Sequence, residues 1–237
     1  MFLDFDGTLS EIAPTPDEAV AVPGAAQVLE ALVERFAVVA VVSGRRAEEV
    51  EERLGRPHGV RIVGLYGSET LGAPDGAPAP VTVVIEEILP RVLEVAAEVP
   101  GSLVEPKGSN LAVHYRLAPQ AESARLALLE ALGPLAASVG MRMIEGKRVV
   151  ELVPAAAPSK GDVVESEGSG LAALLYAGDD LADVEAFAAL DRLSRNGVGG
   201  IKVAVGSAET PPVLLETADM IVSGPGGLLD LLRSLLR

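Results

Sequence analysis

Two carboxylates stand two positions apart in Asp4-Phe5-Asp6-Gly7-Thr8-Leu9, at the carboxyl end of a short apolar run. Open α/β sheets place their ligands at such strand ends. In an extended chain, alternation sends Asp4 and Asp6 to one side and Phe5 to the other, into packing. One carboxylate can then attack phosphorus in line, while the other protonates the leaving oxygen and later deprotonates water. Gly7 allows a sharp turn, and the amides after it can face phosphate oxygens. The same residues also read as a turn or capping cluster, since Asp-Gly is common in loops.

Three further motifs have the same form. Val41-Val42-Ser43-Gly44-Arg45 puts a hydroxyl at the tip of a second apolar run, with a helix behind it. Ser43 and the helix amides can hold a phosphate oxygen without bringing a formal charge, although Ser-Gly is also an ordinary strand-to-helix turn. Arg45 can contact phosphate or pair with a surface acid such as Glu48 or Glu49. Lys160, in Pro158-Ser159-Lys160-Gly161-Asp162, is either a solvated charge or the cation that neutralises Asp4 and a transferring phosphoryl group. In Tyr176-Ala177-Gly178-Asp179-Asp180-Leu181-Ala182-Asp183, three acids fall within five positions. Crowded carboxylates need a cation to relieve them, and oxygen donors without a nearby histidine favour Mg²⁺ over zinc. Asp180 and Asp183 can instead be first-turn acids stabilised by a helix dipole.

Positioning these groups requires strands that end where the motifs begin. Phe2 to Phe5, Ala37 to Val42, Arg61 to Leu65, Leu171 to Ala177, Ile201 to Val205 and Met220 to Val222 read as strands of a parallel sheet. Between them, Val28, Leu29, Leu32, Val33 and Phe36 recur at helical spacing behind Pro23. Ala47 to Leu54, Asp180 to Leu190 and Leu228 to Leu236 are the other core helices. The middle of the chain differs, because a Gly/Pro/Ala linker at Leu71 to Pro80 and a Pro/Ala linker at Ala155 to Ser159 bracket it. Within it, helices over Ile85 to Val99 and Pro119 to Leu132 accompany strands Ser102 to Pro106, Asn110 to Leu117, Met141 to Glu145 and Val149 to Val153. The expected fold class is therefore α/β, a Rossmann-like parallel-sheet core (1–72 and 156–237) with an inserted α+β cap (73–155).

Composition narrows the function. The 237 residues carry a formal net charge of −15, a field that repels nucleic acid and anionic membranes. Hydrophobic residues make up 49%, with mean hydropathy +0.36, yet charges interrupt every apolar run before the length a spanning helix needs. Met1 lies three residues from an acidic cluster, which leaves no room for a signal peptide. The absence of cysteine excludes disulfides and thiolate zinc sites and fits a reducing compartment. The expected setting is cytoplasmic, with a small-molecule partner, no nucleic acid or membrane partner, and a monomer or weak dimer. If the substrate is an anion, a metal and a few local cations must reverse the potential inside the site.

Taken together, Asp4-x-Asp6, Ser43, Lys160 and Asp179-Asp180, in this order and mostly at strand ends, resemble the haloacid dehalogenase superfamily of phosphotransferases. The resemblance implies that Asp4 is the nucleophile, Asp6 the acid/base, Ser43 and Lys160 the phosphate holders and Asp179 a Mg²⁺ ligand. It also implies that Mg²⁺ binds the Asp4 carboxylate and the Asp6 backbone carbonyl, with Asp180 or Asp183 acting through water. Within that superfamily the chain is similar to the trehalose-6-phosphate phosphatases. The matching stretches are Asp4 to Leu9 with Ile12 and Pro16, Ser43-Gly44-Arg45, Gly64 to Glu69, Lys107 to Arg116, Val150 to Pro154 and Gly178 to Phe187. That resemblance implies a cap that closes over a sugar phosphate, with Glu105, Lys107, Arg116 and Glu151 on the distal glucose and Glu69 near the domain junction. Gly7, Gly44 and Arg45 complete the implied substrate-contacting set. The chain departs from the family in carrying Ala182-Asp183-Val184 where Thr-Asp-Glu is common. Other readings are a capped phosphatase for another sugar phosphate, a phosphosugar-binding module without catalysis, and a mutase.

Overall fold

The computed structural model describes residues 1–71 and 85–237. The expected linker Leu71 to Pro80 lies, apart from Leu71, outside the described residues, as does the expected boundary at 72–73. In chain order the elements are β1 (Phe2–Leu3), α1 (Ala25–Val33), β2 (Ala40–Val42), α2 (Ala47–Arg53), β3 (Arg61–Gly64) and β4 (Glu69–Leu71). Next come α3 (Ile85–Ala97), β5 (Leu103–Lys107), β6 (Asn110–His114), α4 (Ala121–Ser138), β7 (Met141–Gly146) and β8 (Val149–Pro154). The chain then continues through α5 (Lys160–Gly168), β9 (Ala173–Gly178), α6 (Leu181–Arg195), β10 (Gly199–Gly206), α7 (Pro212–Thr217), β11 (Met220–Ser223) and α8 (Gly224–Ser234). They form two compact units, Met1–Pro78 with Pro158–Arg237, and Ala79–Ala157.

The larger unit is an α/β fold of the Rossmann-like kind. Its sheet runs β11-β10-β9-β1-β2-β3-β4, parallel throughout except that β4 returns antiparallel to β3. Both faces are apolar because helices cover both. Leu3, Val41, Ile62, Val203 and Val205 meet residues of α1, α2 and α8 on one side. Phe2, Val42, Val63, Leu174 and Tyr176 meet α5, α6 and α7 on the other. Each fully buried Leu or Phe here stabilises the fold by about 1.5–3 kcal/mol.

The first strand is shorter than its apolar run suggests. β1 stops at Leu3 because the amides of Thr8, Leu9 and Ser10 all turn back to the Phe5 carbonyl, at 3.2, 2.8 and 3.0 Å. Those amides, expected to face phosphate, are spent on this turn. β4 and α7 had no counterpart in the sequence reading, because at three and six residues they are too short to show a period.

The smaller unit has a four-stranded antiparallel sheet in the order β5-β6-β8-β7. Leu111, Val113, Val150 and Leu152 on one face pack with Ile88 and Val92 of α3 and Leu128 and Leu132 of α4. α4 runs past Leu132, the expected end of this helix, because Leu135 and Ala136 are also buried in this core. Burial of those two side chains outweighs the local cost of proline. The opposite face of the sheet carries the polar residues described below. No described helix is long and apolar enough to cross a membrane.

Candidate active site

β1 lies between β9 and β2, so the residues just past it stand at the centre of the sheet. The Asp4 amide still donates to the Ala177 carbonyl at 2.9 Å, which ties the carboxylate to the end of β9. Lys160, first residue of α5, donates to Asp4 Oδ1 at 2.7 Å and to Asp183 Oδ1 at 2.8 Å. A capping box fixes where that helix begins: Asp162 N donates to Ser159 Oγ and Ser159 N to Asp162 Oδ2. Asp179, at the tip of β9, accepts from Thr8 Oγ1 at 3.1 Å. Gly7 is required here, since its φ is 77° and a Cβ would lie 1.9 Å from Asp179 Oδ2.

Asp4, Asp179 and Asp183 are all buried, and each offers an oxygen within 4.8 Å of the others. Desolvation by burial pushes the Asp4 carboxyl well above the usual range. Lys160 opposes this shift, while Asp183 and Asp179 add to it. Burial works against charge on Lys160 and Asp183 too, but their mutual attraction overcomes it, holding the ammonium up and the Asp183 carboxyl down. The pocket thus gathers three acids around one cation, and Asp4 carries the uncompensated cost. Hard oxygen donors this close fit a metal ion.

The three acids are not equivalent. Asp183 accepts four hydrogen bonds, from Lys160 Nζ and Tyr176 Oη on one oxygen and from the amides of Asp179 and Asp180 on the other. With both oxygens doubly occupied, it is anchored to the surrounding protein. Asp180 sits at the N-cap of α6, and its Oδ1 accepts from Leu181 N at 2.7 Å. The sequence left open whether Asp180 or Asp183 supports the metal. In the fold Asp183 joins the cluster, and the Asp180 side chain caps the helix. Tyr176 was missed altogether, since a tyrosine in a buried strand reads only as core; its hydroxyl reaches Asp183 at 2.7 Å while its ring packs edge-on against Phe187.

The second strand tip is organised differently. Ser43 is buried, and its Oγ accepts from the Arg45 amide at 3.1 Å. Gly44 leaves no room for a side chain, because a Cβ would lie 2.6 Å from Tyr66 Oη. Arg45 turns away from Glu48 and binds Glu49, the Pro16 carbonyl and both carboxylate oxygens of Asp6. The Asp6 side chain therefore does not join the buried acids. Glu69 accepts from the Ala47 amide at 2.9 Å, at the start of α2.

In the smaller unit, strand register sets a polar row across one face. Glu105, Ala112, Glu151 and Ile144 pair in sequence from β5 to β7. Lys107 Nζ lies 3.1 Å from Glu151 Oε1 and 3.6 Å from Glu105 Oε2. His114 Nε2 is 2.7 Å from the same Glu105 oxygen. Glu151 Oε2 is buried without a hydrogen-bond partner among the described residues. Arg116 bonds the Lys147 carbonyl at 3.1 Å.

Comparison with known proteins identifies the family. The trehalose-phosphatase family profile matches residues 2–213. An uncharacterized glycosyl hydrolase of Mycobacterium tuberculosis is 37% identical over 214 residues, 84% of this chain and 16% of that protein. A trehalose-phosphate phosphatase of Mycobacterium ulcerans is 34% identical over 212 residues, 84% of this chain and 52% of its own length. The chain thus spans about half, or much less, of these relatives. The C-terminal domain of a C. albicans trehalose-6-phosphate phosphatase superposes with TM-score 0.85 at 22% identity, covering 99% of this chain and 90% of that one.

Proposed function

This chain belongs to the trehalose-phosphatase family, and from that premise we propose that it is a Mg²⁺-dependent phosphatase. Its proposed reaction takes trehalose 6-phosphate to trehalose and phosphate through an aspartyl-phosphate. The observation that carries the reading is the buried Lys160 ammonium shared by Asp4 and Asp183, with Asp179 in the same cluster.

In the first half-reaction an Asp4 oxygen bonds to phosphorus as the bond to the sugar oxygen breaks, and Asp6 delivers a proton to that oxygen. In the second, Asp6 takes a proton from water, whose oxygen displaces Asp4 and frees phosphate. Lys160 opposes the burial that raises the Asp4 carboxyl and offsets the phosphoryl oxygens. The Ser43 hydroxyl holds one of those oxygens, and the backbone at Gly7 and Gly44 faces the ester. Asp4, Asp179 and the Asp6 carbonyl would hold Mg²⁺, which when bound would supply the positive charge that the phosphoryl group requires.

Sugar choice is assigned to Glu105, Lys107, Glu151 and Arg116, with Glu69 as a further contact. Charged donors and acceptors select for hydroxyls because analogues lacking them leave those groups unpaired. The charge of −15 and the lack of cysteine support a cytoplasmic monomer or weak dimer that acts on a small molecule rather than on nucleic acid.

The test is phosphate release from trehalose 6-phosphate, glucose 6-phosphate and sucrose 6-phosphate, with Mg²⁺ and with EDTA. Release from the first should be far the fastest and should stop with EDTA. Equal rates on all three would remove the trehalose assignment, and binding without release would remove the enzyme.

A further inference from the structure

We propose that Arg45 is a positioning residue that acts through Asp6, and not a ligand of the phosphoryl group. The inference rests on the reading of Asp6 as acid and base, and adds to it the means by which that carboxylate is aimed.

Three observations carry it. First, four of the five guanidinium donors are engaged: Nε meets Asp6 Oδ2 at 2.7 Å, Nη2 meets Asp6 Oδ1 at 2.9 Å and the Pro16 carbonyl at 3.0 Å, and Nη1 meets Glu49. A forked pair of this kind fixes the plane of a carboxylate as well as its distance. Second, Arg45 is itself buried, at 6% exposure and with its Cζ 6.0 Å from the centre of the Phe5 ring. Turning it toward a phosphate would break every one of these contacts. Third, the Asp6 side chain is 42% exposed, so without the fork little else would hold it in one rotamer. A proton donor must sit within hydrogen-bond reach of the leaving oxygen, and small misplacements cost up to about a hundredfold.

A displaced acid costs more as the leaving group becomes poorer, whereas a lost phosphate contact or a damaged fold costs every ester alike. The experiment is therefore kcat/KM, which reports the first half-reaction, on 4-nitrophenyl, phenyl and benzyl phosphate with Mg²⁺. Arg45→Lys keeps the charge but cannot form the fork. Its loss should be at least about tenfold greater on benzyl than on 4-nitrophenyl phosphate. Glu49→Gln, which loosens the anchor of Nη1, should show the same ordering with a smaller spread. It decides the matter if thermal melting shows Arg45→Lys to be unfolded.

Asp6→Asn is the control. If its losses do not depend on the leaving group, the acid/base reading of Asp6 fails and this inference with it. If Asp6→Asn shows the dependence while Arg45→Lys, or Glu49→Gln in its place, loses equally on all three esters, the inference alone is overturned.

Discussion

Each unit holds a lysine between two carboxylates, and the two sites differ in what is left unsatisfied. Lys160 lies 2.7 and 2.8 Å from Asp4 and Asp183, and both oxygens of Asp183 are saturated by protein donors. Lys107 lies 3.1 and 3.6 Å from Glu151 and Glu105, and one buried Glu151 oxygen has no described partner. A site whose geometry is closed by the protein suits chemistry that depends on fixed distances. One that keeps an open acceptor suits a ligand that brings its own hydroxyls.

Substitutions can break this contrast, and the largest effect falls at Asp4. Asp4→Asn removes the proposed nucleophile, and phosphate release should fall by about a thousandfold or more with the melting temperature little changed. Next, Lys160→Met leaves two buried carboxylates without their cation. It should abolish turnover and cost about 3–5 kcal/mol by chemical denaturation, less when Mg²⁺ is present. Glu151→Gln keeps the shape but removes a charged acceptor. It should raise KM for the sugar phosphate by about 10–100-fold while kcat and stability move little. The smallest effect is expected from Tyr176→Phe, which takes one of four donors from Asp183 and should cost about 1–2 kcal/mol in denaturation. If Glu151→Gln destabilised the protein as much as Lys160→Met, the two sites would not differ in the way described.

How far the sequence could be read follows from the range of the interactions. Strands and helices long enough to show a period were visible, and so was their alternation, because burial imposes it residue by residue. Asp4, Ser43, Lys160 and Asp179 could be singled out because each follows an apolar run or opens a helix. The pairing of Asp6 with Arg45 could not, since alternation in β1 was extended past Leu3, where the chain already turns on the Phe5 carbonyl. Nor could the role of Asp183, because Asp180 and Asp183 both look like first-turn acids. Only the fold brings Lys160 and Tyr176 to one of them.

The Ser159–Asp162 box has a consequence for how this chain tolerates change. Lys160 is the first helical residue after the polypeptide re-enters the larger unit, so slack in residues 155–158 would reach it before anything else. The box acts as a cable clamp at the point of entry, and the ammonium stays where α5 begins. Changes at Ser159 should therefore reach Lys160 directly.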